Sequence, residues 1–161
     1  IGFINTGPIP KSLHIWKIKV NLKIKVFTWF IHKELILTKD NLTKHSWEGS
    51  KHCCLCDQDE STQHLFLKCP LANLLWRTIH VAVNVRPPNS IDTLLGTWLN
   101  GVEPKTSAHI RVEMYALLWT ISNCQDDTTF NKQNITKNLQ VIYRATGWIH
   151  TWSLLRHADV K

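Results

Sequence analysis

The chain has 161 residues, a hydrophobic share of 43% and a formal net charge of +7. That length suits one domain, or a small domain with an extension, and is enough to bury a core. No apolar run approaches the roughly 20 residues of a membrane-spanning helix, and Ile1-Gly2-Phe3-Ile4-Asn5 lacks the basic start and apolar stretch of a signal peptide. The chain opens without Met, its one methionine being Met114, so we expect a piece of a longer protein or a truncated gene product.

Charge is concentrated at one end. Residues 1–51 hold nine lysines against Glu34, Asp40 and Glu48, and so carry +6 of the total. A basic block of this kind favours a polyanion, either nucleic acid or an acidic surface. The plain alternative is a solvated lysine face that keeps the fold soluble.

Within that block Trp16, Ile18, Val20, Leu22, Ile24 and Val26 alternate with Lys17, Lys19, Asn21, Lys23 and Lys25, the period of a half-buried strand. From Val26 onward, Phe27, Phe30, Ile31 and Leu35 follow helical spacing instead. We expect an extended segment near 14–20 and a helix near 22–36, with 16–26 open between strand and helix. Thr38 is the expected N-cap of a short helix ending about His45. Ser61 is the expected cap of a helix ending at Cys69-Pro70, and a second helix over 71–83 buries Leu71, Leu74, Leu75 and Ile79. Arg86-Pro87-Pro88-Asn89 reads as a linker. Ser90 then caps a helix to about Asn100, which Gly101 stops. A long helix is expected over 107–124, a turn at Asp126-Asp127-Thr128, and a final helix over 134–157.

The chemistry lies in the middle. Cys53-x2-Cys56-x7-His64-x4-Cys69 offers three thiols and one imidazole, a closed tetrahedral shell for a structural Zn2+ with no position left for water. Cys-x2-Cys presents two sulfurs from one tight turn, while His64 and Cys69 come from a second element. Cys54 gives a poor bite beside Cys56 and is expected to pack as a small side chain. Two rivals are ordinary buried cysteines and a redox Cys-x-x-Cys, though the latter expects a strand-helix-strand setting that the pattern lacks. Four of the five cysteines fall within 53–69, unlike a secreted disulfide framework, which points to a reducing intracellular compartment, nuclear or cytoplasmic. The remaining histidines lack partner spacing. The tryptophans default to core packing, with Trp47 a candidate for base stacking. No glycine-rich phosphate loop or Gly-x-Ser-x-Gly is present, and Asp126-Asp127 lacks a third carboxylate for two-metal chemistry.

Ile15-Trp16-Lys17-Ile18-Lys19-Val20, Lys23-Ile24-Lys25-Val26-Phe27-Thr28-Trp29 and Leu37-Thr38-Lys39-Asp40-Asn41-Leu42 are followed in order by Cys53-Cys54-Leu55-Cys56, Thr62-Gln63-His64-Leu65-Phe66-Leu67-Lys68-Cys69-Pro70 and Leu75-Trp76-Arg77. This order resembles the zinc-binding region of plant non-LTR (LINE-type) retrotransposon reverse transcriptases, over about 15–77. The resemblance implies that Cys53, Cys56, His64 and Cys69 are the zinc ligands and that the region follows a polymerase domain and helps hold nucleic acid. The polymerase's carboxylate motif is not in this chain, so no DNA synthesis is expected of it. Asn21, Phe30, Ser122 and Gln125-Asp126 depart from the family pattern, which fits a truncated or decayed copy.

The expected fold class is therefore mainly α, with helices around a small irregular Cys-Cys-His-Cys zinc centre and a short extended N-terminal segment. Residues 11–85 form the zinc-binding domain and 86–161 a helical extension. The expected function is a non-catalytic accessory module that contacts RNA or DNA without sequence preference through Lys17, Lys19, Lys23, Lys25, Lys33, Lys39 and Lys44. The alternative is a protein-interaction module docking on the missing reverse transcriptase domain of the same polyprotein through the apolar face of 107–124.

Overall fold

The computed structural model of the chain describes residues 15–129 together with 143, 144, 146 and 147. After a helical turn at 15–17 come α1 (Leu22–His32), α2 (Lys39–Lys44), a π-helical turn (His64–Lys68), α3 (Pro70–Val83), α4 (Ile91–Leu95) and α5 (Pro104–Thr129). The fold is mostly helical. Among the described residues there is no strand, only an isolated antiparallel bridge between His52 and Asp59.

The ambiguity over 16–26 resolves to helix from Leu22 onward. Asn21 decides the start, its side-chain oxygen accepting from the Lys23 N–H at 2.9 Å. Ile24, Phe27, Thr28 and Ile31 then share the buried face. The alternating apolar residues could not all follow them, and Leu22 is left 66% exposed. The expected extended segment is interrupted, because 15–17 is helical and the chain bends across 18–20.

Two further boundaries move for local reasons. Ser90 does cap α4, its hydroxyl accepting from the Thr93 N–H at 3.1 Å, but the helix stops at Leu95 rather than Asn100. α5 starts earlier than expected, at Pro104, a residue suited to a first turn because it has no N–H to satisfy. The Glu103 carboxylate accepts from the Lys105 and Thr106 N–H groups, each at 2.9 Å, and so caps that end. The turn expected at 126–128 is instead continuous helix to Thr129. Of the final helix expected over 134–157, only 143, 144, 146 and 147 lie within the described residues, and these are helical.

α1 packs on α4 and α5, and the π-helical turn packs on α3 and α5. One buried cluster joins Ile24, Phe27 and Ile31, the Leu65-Phe66-Leu67 run, Leu71, Leu75 and Trp76 of α3, Leu94 and Leu95 of α4, and Met114, Leu117, Leu118 and Ile121 of α5. Each fully buried side chain of this size contributes about 1.5–3 kcal/mol. The apolar face of 107–124, expected to dock a partner, is thus part of the core: Ile110, Met114, Leu118 and Ile121 are each at most 1% exposed. No helix among the described residues is long and apolar enough to cross a membrane.

Candidate metal centre

The first two cysteines sit on a pinched loop. Cys53 N–H donates to Gln58 O at 2.7 Å and Glu60 N–H to Lys51 O at 3.0 Å, so the acidic stretch after Cys56 folds back antiparallel to residues 51–53. An exposed contact of 3.2 Å between His52 Nδ1 and Asp59 Oδ1 closes the outside of the loop. Leu55 N–H points at Cys53 Sγ at 3.4 Å, a donor that favours the thiolate.

The other two ligands sit on the π-helical turn. Ser61 opens it as expected, its hydroxyl accepting from the His64 N–H at 3.0 Å. Cys69 N–H then donates to His64 O at 2.7 Å, a bond spanning five residues. At the roughly 100° per residue of an α-helix, position 69 would lie about 140° around the axis from position 64. The wider turn brings it back toward the same side. Pro70 has no N–H to offer the Phe66 carbonyl, and the indole N–H of buried Trp76 satisfies it at 2.7 Å.

The four donor atoms of Cys53, Cys56, His64 and Cys69 all lie within 4.8 Å of one another. A tetrahedral zinc with bonds of about 2.0–2.3 Å needs ligand atoms about 3.3–3.8 Å apart, and the Cys56 Sγ···His64 Nε2 distance is 3.1 Å. That pair is a few tenths of an ångström too close for a zinc edge, so the ion would be held after a small side-chain adjustment by a donor set whose chemistry, three sulfurs and one imidazole, suits zinc. Cys53, His64 and Cys69 are buried and Cys56 is half-buried, which leaves little room for water as a further ligand. Cys54 stands outside the cluster, with its sulfur 4.0 Å from Gln125 O, in keeping with a packed side chain.

Electrostatics make the same demand. Hydrogen bonds from Cys54 and then Cys69 hold the Cys53 thiol well below the usual thiol range. The bond to Cys53, with burial behind it, pushes Cys69 well above that range. Burial also pushes Cys56 up. Three sulfurs this close cannot all ionise unaided, and a dication supplies the charge that lets them.

Residues 5–76 match the family model described as zinc-binding in reverse transcriptase. Over that stretch the chain is similar to the zinc-binding modules of reverse transcriptases. No curated protein and no solved structure matches the chain. All four sulfur and nitrogen ligands fall inside the matched stretch. α4 and α5 lie beyond it, yet they complete the core on which the zinc-binding turn rests.

The seven lysines of this module fare differently. Lys17, Lys19, Lys23, Lys33 and Lys44 are exposed. Lys23 Nζ lies 5.1 Å over the Trp119 ring, and half-buried Lys25 donates to Trp16 O at 3.0 Å. Lys44 shares a shallow pocket with Glu34 and Asp40, whose charge competes with an incoming phosphate. Lys39 is a correction: it is 7% exposed, with its ammonium committed to His52 O. A phosphate could reach it only by breaking that contact. Trp47 is half-buried against Gly49, where an added Cβ would meet the ring at 2.0 Å, so that side of the indole is covered.

Sequence reasoning missed Glu60. It is 2% exposed and joins three elements: its carboxylate accepts from the Lys39 N–H at 2.9 Å and from Gln125 Nε2 at 3.2 Å. It replaces Thr38 as the cap of α2, because the Thr38 hydroxyl turns to Asp40. No pattern marks an acid in a polar loop as buried, so no signal could have found it.

Proposed function

We propose that the chain is a non-catalytic, zinc-stabilised accessory module of a retroelement reverse transcriptase, of the plant LINE type, that contacts RNA or DNA without sequence preference. The observation carrying this reading is the convergence of Cys53, Cys56, His64 and Cys69 inside a stretch matched to reverse-transcriptase zinc binding. Three thiolates and a neutral imidazole close the shell of the ion, so its work is structural, with no open position for hydrolysis. Such a site is net anionic and repels phosphate. Nucleic-acid contact therefore falls to the exposed Lys17, Lys19, Lys23 and Lys33, with lesser parts for Lys25 and Lys44. The compartment is intracellular, where thiols stay reduced.

Titrating salt against binding of a labelled single strand tests the reading. Four phosphate contacts predict a log–log slope of about −3 for single strands, and replacing Lys23 and Lys33 with Gln weakens binding equally for unrelated sequences. A flat salt response, or no binding at low salt, refutes it.

A second reading has its own observation. Leu22 at the start of α1 and Leu35 and Leu37 beyond its end are 66%, 58% and 55% exposed, large apolar side chains that a polymerase domain of the same polyprotein would cover. Co-purification with that domain, together with absent nucleic-acid affinity, would favour it.

A further inference from the structure

Between residues 17–19 and the first turns of α5 lies a cleft of about 600 Å³. Its lining includes three cations, Lys17, Lys19 and Arg111, and no carboxylate. Ile18, Val102 and Val112 give it an apolar floor. Resting on the nucleic-acid reading above, we propose that this cleft seats one unstacked nucleotide of a single strand, its phosphate among the three cations and its base on the apolar floor.

The volume falls in the range of small-ligand sites, about 300–1,000 Å³. Arg111, far along the chain from the N-terminal lysines, adds a planar fork suited to phosphate oxygens. The attraction rests on side chains and not on the end of α5, because Glu103 already occupies the Lys105 and Thr106 N–H groups there. Gly101 shapes the lip with φ +86, a conformation that other residues rarely adopt. A bare phosphate has no use for the apolar floor. A duplex cannot present a base to it without unstacking, whereas a single strand offers a phosphate and a free base face together. An acidic peptide would meet the cations but carries no comparable flat apolar group.

The test uses the full zinc-loaded chain and labelled oligothymidylate or oligouridylate of about ten nucleotides, read by anisotropy. Ala108 lines the cleft and is exposed, so Ala108→Trp fills the space without touching charge or core. It should lower affinity about 5-fold or more while leaving the salt slope unchanged. The triple change Lys17→Gln, Lys19→Gln, Arg111→Gln should lower affinity more than about 10-fold and flatten the slope by about 0.7, the share of one phosphate. Circular dichroism confirms that both variants fold. If both keep wild-type affinity while Lys23→Gln with Lys33→Gln weakens binding, the strand lies elsewhere: the cleft assignment fails and the nucleic-acid reading stands. If the wild type binds neither oligonucleotide at low salt, both fail. Duplex binding as sensitive to Ala108→Trp as single-strand binding overturns the unstacked nucleotide. Polyglutamate binding that Ala108→Trp abolishes while oligonucleotide binding persists assigns the cleft to an acidic protein segment and overturns the proposal.

Discussion

Glu60 shows how one side chain can bind the zinc loop to the rest of the molecule at a cost. One carboxylate oxygen caps α2 and meets Gln125 of α5, while the other is buried without a partner. Burial, above all, pushes its carboxyl from the ordinary 4.5 up to about 7. Because the folded-state value is raised, the protonated form favours the native state. That contribution is complete below about pH 4.5 and is lost as pH rises through about 7. Glu60→Gln removes the titration while keeping an acceptor for the Lys39 N–H. In urea unfolding of the zinc-loaded chain, its stability relative to wild type should improve by about 1 kcal/mol between about pH 6 and about pH 8. The proton competition of the thiols is common to both proteins and cancels. A difference that stays constant with pH would show that Glu60 is ionised throughout or is solvated.

The π-helical turn is the element on which the centre depends, since a bond from residue 69 to residue 64 sets the spacing of two ligands. Inserting one alanine between Phe66 and Leu67 should therefore abolish stoichiometric zinc while the α3 sequence stays intact. Retention of one ion per chain would show that the loop accommodates the ligands without the turn. The ligand set itself was legible, because Cys-x2-Cys and His-x4-Cys declare themselves by residue type and spacing. So were the caps at Ser61 and Ser90, where a short hydroxyl side chain precedes an apolar run. The π-turn was not legible: Pro70 removes one α-helical donor, but Trp76, from the next helix, is what makes the wider turn affordable. The alternation over 16–26 misled because period 2 and a helix with two apolar sides place the same residues at 22, 24 and 26. The long α5 outran its expected end since Asp127 finds Arg144 at 2.9 Å, an ion pair invisible from local sequence.

At the scale of the whole molecule, the zinc-binding turn is also the centre of the core. Leu65 and Phe66 are fully buried, and Phe66 meets Phe27 edge-on at 6.3 Å. Metal binding and folding should then be one event. Chelation should release hydrogen-exchange protection in α3 and α5 together, although neither helix carries a ligand within its span. Loss of protection confined to 52–69 would mean that the helical core stands without the ion. The most direct test of the account is zinc-edge X-ray absorption of the purified chain alongside metal analysis. It predicts one zinc per chain with three sulfurs at about 2.3 Å and one nitrogen at about 2.0–2.1 Å, lost in Cys69→Ala. Absence of stoichiometric zinc, an oxygen ligand in the shell, or an unchanged spectrum in Cys69→Ala would contradict it.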